Sequence, residues 1–271
     1  MRRAVPRISL IIATYNWPAA LDLVLESVRA QQDLPDEVLV ADDGSGEATR
    51  VIITAHQQSF PVPLTHVWHE DRGFRLAAIR NAAIREAAGD YVVQVDGDMV
   101  LGPQFVRAHR RFATRGRYVQ GSRCLVSPTL TDALLRERRH RISPFARGLR
   151  NRQNGVYLPW LVPFIRGPRD ADRRTRGCHM AFWRDDLLAV NGYDEGFVGW
   201  GREDSELAAR LLHSGVQRRN FKFGAPAFHL WHSEVVARAH ADNEARYNAT
   251  VRERRRRCLA GLVPMPDDMP A

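Results

Sequence analysis

The first hundred residues repeat one unit, in which a short apolar run is followed by a polar turn and then by a helical pattern. Residues 8–13, 36–41 and 91–95 have the β-branched character of buried strands, and residues 76–88 predict an alanine-rich helix. Strands that alternate with helices favour a parallel sheet with right-handed crossovers and helices on both faces. The predicted fold class is therefore α/β, with a mostly parallel, doubly wound sheet.

Two carboxylates end the strand over residues 91–95, where Asp96 and Asp98 flank a glycine. Open α/β sheets bind their ligands at the carboxyl ends of the strands. Neighbouring carboxylates repel each other unless a proton or a cation lies between them, and oxygen ligands suit Mg²⁺ or Mn²⁺. The sequence predicts a cation at Asp98, although Asp and Gly also favour an ordinary polar turn.

Polar side chains also end the first and second strands. Thr14, Tyr15 and Asn16 follow the first strand, and Asp42 and Asp43 follow the second. Because parallel strands end at the same edge of a sheet, we expect these residues and Asp96–Asp98 to form one site.

Basic and amide side chains stand at the start of the predicted helix over 76–88. Arg75 precedes the helix, and Arg80 and Asn81 lie in its early turns. These side chains can face the phosphates of a ligand carried on Asp98. The alternative for Arg80 is an exposed arginine face.

A glycine-rich turn precedes a later helix and ends in two acids, Glu203 and Asp204. Glycines such as Gly201 allow close backbone approach, Trp200 offers a flat face to a sugar ring, and one acid can accept a proton. The alternative is that the two acids only cap the helix and interact with its dipole.

Two histidines near the end of the regular pattern, His229 and His232, are three residues apart. Imidazole nitrogens are common metal ligands, so either histidine can complete the coordination of a cation held by Asp98. The alternative is a structural or exposed role for both rings.

The composition restricts the partners and the compartment. The net charge is +9 and Lys222 is the only lysine, so arginines dominate; this predicts contact with polyanions unless it reflects codon usage alone. Three widely spaced cysteines form no zinc or disulfide pattern, which favours a reducing compartment. The apolar runs are too short for a signal peptide or a membrane span. We expect a cytoplasmic protein that can touch the inner face of a membrane.

The regular pattern is interrupted over residues 131–176, where arginines are mixed with Tyr157, Trp160 and Phe164. We interpret this stretch as an insertion over the mouth of the site, which either contacts anionic lipid or an acidic glycan or is a plain surface excursion. The predicted domain spans residues 1–233, and residues 234–271 are expected to form a basic helix and a flexible tail.

Six motifs in this order resemble family 2 glycosyltransferases of the GT-A fold, and are most similar to chondroitin-polymerase modules and to the carboxyl-terminal region of galactosyltransferases. The motifs, between about residues 8 and 233, are Thr14–Asn16, Asp42–Ser45, Gly73–Asn81, Asp96–Met99, Gly199–Asp204 and His229–His232. Two departures stand out: Ala83 occupies a position where the family motif has glycine, and residues 131–176 match no motif.

The resemblance implies a role for each motif. It places Thr14, Tyr15, Asn16 and Asp43 around uracil and ribose, with Asp42 nearby. It places Arg75, Arg80 and Asn81 near the diphosphate and the donor sugar, and Asp96 on ribose or a metal-bound water. It implies that Asp98 binds Mn²⁺ or Mg²⁺ with His232 or His229, that Asp204 is the general base, and that Glu203, Trp200 and Gly201 contact sugar.

The function implied is inverting, metal-dependent transfer from a UDP-sugar to a saccharide or lipid-linked saccharide in the synthesis of cell-surface polysaccharide or lipopolysaccharide. A sugar nucleotidyltransferase is the enzymatic alternative, but the loop after the first strand, 14–18, lacks the glycine-rich pattern that such an enzyme needs. A basic nucleic-acid-binding protein is suggested by net charge alone, and the chain has no motif that reads RNA or DNA. No nucleic-acid partner is expected.

Overall fold

A computed structural model describes residues 5–165, 172, 175–233 and 241–263. The strands of this described part are β1 (Ile8–Thr14), β2 (Glu37–Asp42), β3 (Leu64–Trp68), β4 (Tyr91–Asp96), β5 (Met99–Leu101), β6 (Arg117–Gly121), β7 (Cys124–Val126), β8 (Leu149–Arg150), β9 (His179–Trp183), β10 (Gln217–Phe221) and β11 (Ala227–His229). The helices are α1 (Pro18–Arg29), α2 (Glu47–Gln57), α3 (Leu76–Glu86), α4 (Phe105–Phe112), α5 (Pro128–Arg136), α6 (Arg184–Val190), α7 (Glu203–His213) and α8 (Ala241–Glu253).

The central sheet has the strand order β10-β6-β9-β4-β1-β2-β3. The pairs β1–β2, β1–β4, β2–β3 and β6–β10 are parallel, whereas β9 runs antiparallel between β4 and β6. All seven residues of β1 are buried, as its continuous apolar run indicates. The predicted α/β class with a mostly parallel sheet is confirmed.

Helices cover both faces of this sheet, because alternate side chains of each strand point to opposite faces. Leu10 and Ile12 of β1 join one buried cluster with side chains of α1, α2, α4 and α5. Ile11 joins a second cluster with side chains of α3, α6 and α7. The two clusters hold β1 at the centre of the fold.

The parallel register brings the strand ends to one edge. Ala13 pairs with Asp96 and Thr14 pairs with Asp42, so β1, β2 and β4 end at the same level. This geometry is the one expected from the sequence, and it puts the polar ends of three strands side by side.

A second sheet of four strands, in the order β5-β11-β7-β8, was not predicted from the sequence. Its strands are two or three residues long, which is too short for an alternating pattern to reveal them. The strand β10 was also not predicted. This small sheet lies beside the edge where β4 ends, because β5 begins one residue after Asp98.

Two helices lie at or beyond the interruption of the regular pattern. The helix α5 begins at Pro128 because the Ser127 hydroxyl accepts a hydrogen bond from the Leu130 amide. Within residues 234–271, where a basic helix and a flexible tail are expected, the structure has the helix α8, Ala241–Glu253. Residues 234–240 and 264–271, which include the end of the chain where the flexible tail is expected, lie outside the described residues. None of the helices in the described ranges combines the length and apolar character that crossing a bilayer requires.

Candidate active site

Three potential metal ligands from separate segments meet at the carboxyl end of β4. His229 pairs with Met99 in the β11–β5 ladder, and the Leu230 amide donates to the Asp98 carbonyl. The Nε2 atoms of His229 and His232 each lie 3.4 Å from Asp98 Oδ2. Two ligands about 2.1 Å from a shared ion are about 3.0–3.4 Å apart, so these side chains are spaced for a common cation.

The electrostatics of this cluster also fit a cation. The Oδ1 atom of Asp98 is buried and has no hydrogen-bond partner among the described residues. Burial and the charge of Asp96 raise the pKa of Asp98 to about 8. Burial, Arg123 and His232 lower the pKa of His229 to about 3, so its ring is neutral and can act as a ligand. A bound cation would stabilise the ionised form of Asp98, whose buried Oδ1 has no hydrogen-bond donor beside it in the described part of the chain.

A second group of potential ligands, Asp22, Glu26 and His56, lies between α1 and α2. There, Asp22 Oδ1 accepts hydrogen bonds from both His56 Nε2 at 2.9 Å and Arg138 Nη2 at 2.8 Å. The guanidinium already provides the positive charge, so this group does not fit a metal centre.

A buried arginine links the acids of the site. The side chain of Arg80, in the middle of α3, is only 2% exposed. Its Nη1 lies 2.9 Å from Asp204 Oδ1 and 3.9 Å from Glu203 Oε1, and its Nη2 lies 3.1 Å from Asp96 Oδ1. Because it faces these acids, Arg80 does not present a free guanidinium to phosphates, in contrast to the prediction.

Asp96, Glu203 and Asp204 surround the single guanidinium of Arg80, so their ionised forms would leave a net negative charge in the protein interior. Burial and the charge of Asp204 raise the pKa of Glu203 to about 8, and Arg80 offsets this only in part. Glu203 is also the acid farthest from Arg80. A protonated Glu203 can donate a hydrogen bond to a hydroxyl group, whereas Asp204 is the acid that pairs most closely with Arg80.

The turn before α7 holds both acids in place. Gly199, Gly201 and Arg202 have positive φ angles of 78°, 103° and 75°, which is the region that glycine adopts most readily. The helix then begins at Glu203, where carboxylates interact favourably with the helix dipole. The side chain of Trp200, in the middle of the turn, is 55% exposed and free to contact a ligand.

Asp204 is confined on two sides. Its Oδ1 accepts hydrogen bonds from Arg80 and, at 3.4 Å, from the Tyr193 hydroxyl. On the other side it meets the backbone of Gly177, where an added Cβ would lie 2.3 Å from Oδ2. Its Oδ2 accepts no hydrogen bond from the described residues, so this atom is available to take a proton.

The ends of β1 and β2 form a second part of the same edge. The Asp43 carboxylate contacts His69 Nε2 at 2.6 Å and accepts a hydrogen bond from the Arg75 amide at 2.9 Å. The Arg75 guanidinium donates to the Glu70 carbonyl. Asp43 therefore anchors the loop between β3 and α3 against the strand ends.

The residues at the end of β1 line the same region. Tyr15 is half exposed and donates to Asp71, and the amide of Asn16 donates to the Ser45 hydroxyl. Thr14 is buried, with its carbonyl accepting from the Asp43 amide. The structure brings these residues to the predicted edge.

Two predicted contacts are corrected by the structure. Asp42 is 1% exposed, and its carboxylate is taken by the Ser45 amide and by His66, so it shapes the turn and cannot reach a ligand. Asn81 is fully buried and bonds to the backbone of Tyr193 and to Glu195. The side chain of Asn81 points away from the open edge of the sheet. Its hydrogen bonds hold the loop before α7 in place.

Two further residues, Arg123 and Trp231, complete the site. Arg123, between β6 and β7, donates to the Cys178 sulfur at 2.6 Å and acts electrostatically on Asp96 and Asp98. Trp231 lies between the two histidines along the chain and is 47% exposed. No local pattern indicates Arg123, whereas the position of Trp231 beside His232 is visible in the sequence.

Comparison with known proteins agrees with this architecture. The family model described as glycosyl transferase family 2 matches residues 9–171, and the model described as the N-terminal domain of galactosyltransferase matches residues 166–233. Validoxylamine A glucosyltransferase of Streptomyces hygroscopicus subsp. limoneus is 30% identical in an alignment of 237 positions, gaps included, that covers 78% of this chain and 49% of that protein. Chondroitin synthase of Escherichia coli is 27% identical in an alignment of 244 positions, gaps included, that covers 82% of this chain and 34% of that protein. The chain thus spans about half or less of the length of these relatives.

Solved structures share the fold at low sequence identity. The mannosyltransferase PcManGT from Pyrobaculum calidifontis, in complex with GDP-Man and Mn²⁺, has a TM-score of 0.62 and 20% identity over 93% of this chain and 65% of its own. GalNAc-T7 with UDP, GalNAc and Mn²⁺ has a TM-score of 0.64 and 13% identity over 90% of this chain and 48% of its own. The fold is GT-A, the predicted resemblance is confirmed, and the chain belongs to glycosyltransferase family 2.

Proposed function

We propose that this chain is the catalytic domain of an inverting, cation-dependent glycosyltransferase that uses a UDP-sugar. The observation that carries the proposal is the meeting of Asp98, His229 and His232 beside the acids around Arg80, at one edge of the sheet. A diphosphate leaves more easily when a cation lies beside it, and a hydroxyl attacks more easily when a carboxylate can accept its proton. The cluster at Asp98 and the neighbouring Asp204 would provide these two functions.

The ligand set favours Mn²⁺ over Mg²⁺. Magnesium binds oxygen ligands almost exclusively, whereas two of the three side chains here offer imidazole nitrogen. When bound, the cation would neutralise the charge that develops on the departing diphosphate. The structures of two fold neighbours contain Mn²⁺ together with a nucleotide or a nucleotide-sugar, which supports the same preference.

In the proposed reaction, an acceptor hydroxyl attacks the anomeric carbon while the bond from that carbon to the diphosphate breaks and its electron pair leaves with the diphosphate. Asp204 Oδ2 accepts the hydroxyl proton. Arg80 holds the other oxygen of Asp204 at 2.9 Å and thereby orients the base. Attack opposite the leaving group inverts the configuration in a single displacement.

The acceptor is proposed to be a saccharide or a lipid-linked saccharide. The sugar would stack on Trp200, and Glu203 in its protonated form would donate to one of its hydroxyls. Relatives named chondroitin synthase and hyaluronan synthase support a role in polysaccharide synthesis.

A donor panel with defined cations tests the proposal. Protein stripped of metal by a chelator is incubated with UDP- and GDP-sugars, each with Mn²⁺, Mg²⁺ or chelator, and nucleotide release is measured. We expect release of UDP from one UDP-sugar, fastest with Mn²⁺ and absent with chelator. Equal release in excess chelator would contradict the cation requirement, and release from GDP-sugars alone would contradict the UDP assignment.

A further inference from the structure

Three large aromatic side chains are exposed on one segment of the chain. Residues 136–165, which we call the arginine-rich segment, carry Phe145, Trp160 and Phe164 with 80%, 64% and 74% of their surface exposed. Exposed aromatics of this size in one short stretch are unusual on a soluble surface and mark sites of interaction.

These aromatics are not poorly packed core residues, because the segment has a separate buried side. Leu149 and Val162 are buried, and Ile142, Ala146 and Tyr157 pack against the main cluster. The inward side chains fix the segment to the body, so the aromatics on its other side remain available for a partner.

The same segment carries a strong positive charge. It contains seven arginines and a single carboxylate, Glu137. Glu137 pairs with Arg136 and Arg139, and Arg138 pairs with Asp22. The remaining four arginines form no ion pair with a described residue; they are exposed and are Arg141, Arg147, Arg150 and Arg152.

Aromatic rings and unpaired arginines together match the chemistry of an anionic bilayer. Aromatic side chains settle at the boundary between headgroups and acyl chains, and each arginine near a negative surface adds attraction. Residues 158–165 read Leu-Pro-Trp-Leu-Val-Pro-Phe-Ile, in which the Trp160 indole is the only hydrogen-bonding side chain. A glycan would need more polar groups than this, so the composition favours lipid.

The segment is tied to the strands that carry the candidate active site. Its strand β8 pairs with β7, and β7 pairs with β11, which ends at His229. The side-chain amide of Asn154 donates to the Arg123 carbonyl at 2.8 Å, and the backbone amide of Leu158 donates to the Phe223 carbonyl at 2.9 Å. A surface bound at this segment would therefore lie beside the candidate active site.

We propose that the arginine-rich segment docks the protein on the surface of an anionic membrane, with Phe145, Trp160 and Phe164 inserted at the interface and the free arginines on lipid phosphates. The binding is independent of sugar transfer, so it is measured without donor or acceptor. Its failure would leave the proposed activity untouched.

Vesicle sedimentation tests the proposal on the full chain. We expect binding to vesicles of phosphatidylcholine with phosphatidylglycerol, little binding to phosphatidylcholine alone, and release at about 1 M salt, where the screening length is about 3 Å. The variant Arg141→Gln/Arg147→Gln/Arg150→Gln should bind on the order of 100-fold more weakly. The variant Phe145→Ser/Trp160→Ser/Phe164→Ser should bind these vesicles about tenfold more weakly, or weaker still, because it has lost the apolar surface that enters the interface.

A charge-matched control separates the patch from net charge. Arg252→Gln/Arg254→Gln/Arg256→Gln removes the same charge from the basic run at the end of α8 and should bind like the parent. Equal weakening by both arginine variants, or no effect of the aromatic variant, overturns the proposal. Binding of a soluble acidic polysaccharide without vesicle binding overturns it in favour of a glycan.

Quenching by lipids with brominated acyl chains provides a measurement that does not depend on the multiple variants. Anionic vesicles of such lipids should quench the tryptophan emission of the parent, and Trp160→Phe should remove most of the quenching. Quenching that survives in Trp160→Phe contradicts insertion of this side chain.

Discussion

At the scale of single residues, Asp204 is the group on which the proposed chemistry depends most. Asp204→Asn keeps the shape of the side chain and a hydrogen bond to Arg80 but cannot accept a proton. We expect a fall of about 10² to 10⁴ in turnover with nearly unchanged affinity for UDP. Steady-state kinetics and a nucleotide titration measure the two quantities. Turnover like that of the parent would place the base elsewhere.

Gly177 tests whether the position of that carboxylate matters. An added methyl group would lie 2.3 Å from Asp204 Oδ2, so Gly177→Ala should displace the base and lower turnover about 10²-fold. Gly46→Ala is the matched control, because the nearest atom to its added methyl is 3.9 Å away. Similar turnover in both variants would show that Asp204 is not held by this contact.

Glu203 gives the site a dependence of stability on pH. Its pKa is raised on folding from 4.5 to about 8, so the folded state holds this proton more tightly than the unfolded state. The stabilisation is fully present below pH 4.5 and is lost as the pH rises towards 8. Glu203→Gln, which stays neutral, should melt a few degrees higher than the parent at pH 9 and at the same temperature near pH 4. A melting curve that shifts equally at both pH values would contradict a raised pKa.

The sequence predicts the edge of the sheet at which Asp98 lies, because this residue comes two positions after the end of β4. The structure brings it together with His229 and His232. Prediction fails for Asn81, because the direction of a side chain on α3 depends on Tyr193, which is 112 residues away in sequence.

At the scale of elements, the short strand β11 determines whether a metal centre exists at all. It carries His229 to Asp98 through its ladder with β5, and the chain then continues to His232. A strand of three residues has no periodic signal, and its partners are far away in sequence. The histidine pair could be found from the sequence, but its place in a second sheet could not.

The packing of α8 on α7 depends on a fully buried ion pair. Glu206 accepts two hydrogen bonds from Arg210, at 2.7 and 2.6 Å, and one from the Thr250 hydroxyl of α8 at 3.0 Å. Glu206→Ala would leave the buried guanidinium without its charge partner and should lower the free energy of unfolding by about 3–5 kcal/mol.

Chemical denaturation checks this value against an exposed pair. Glu47 contacts Arg50 on the surface of α2, where both side chains are 65% exposed. Glu47→Ala should change the free energy of unfolding by less than about 1 kcal/mol. Equal effects of the two substitutions would show that α8 is not held by Glu206.

At the scale of the whole molecule, alternating strands and helices were sufficient to predict the class of the fold. The continuous apolar runs of β1 and β4 identify the centre of the sheet, since only strands covered on both faces have this composition. The antiparallel strand β9 has a similar composition, so its direction cannot be read from its residues. The direction is seen only in the structure, where β9 pairs antiparallel with both β4 and β6.

Binding of Mn²⁺ to metal-free protein, measured by calorimetry with and without UDP, tests the central claim most directly. If phosphate oxygens of UDP contact the bound Mn²⁺, UDP tightens Mn²⁺ binding, and linkage requires that Mn²⁺ tightens UDP binding by the same factor. We predict saturable binding that UDP strengthens, a loss of about tenfold or more in Asp98→Asn, His229→Ala and His232→Ala, and none in the control His213→Ala. Equal Mn²⁺ affinity in the parent and Asp98→Asn, in the presence of UDP, would contradict the account.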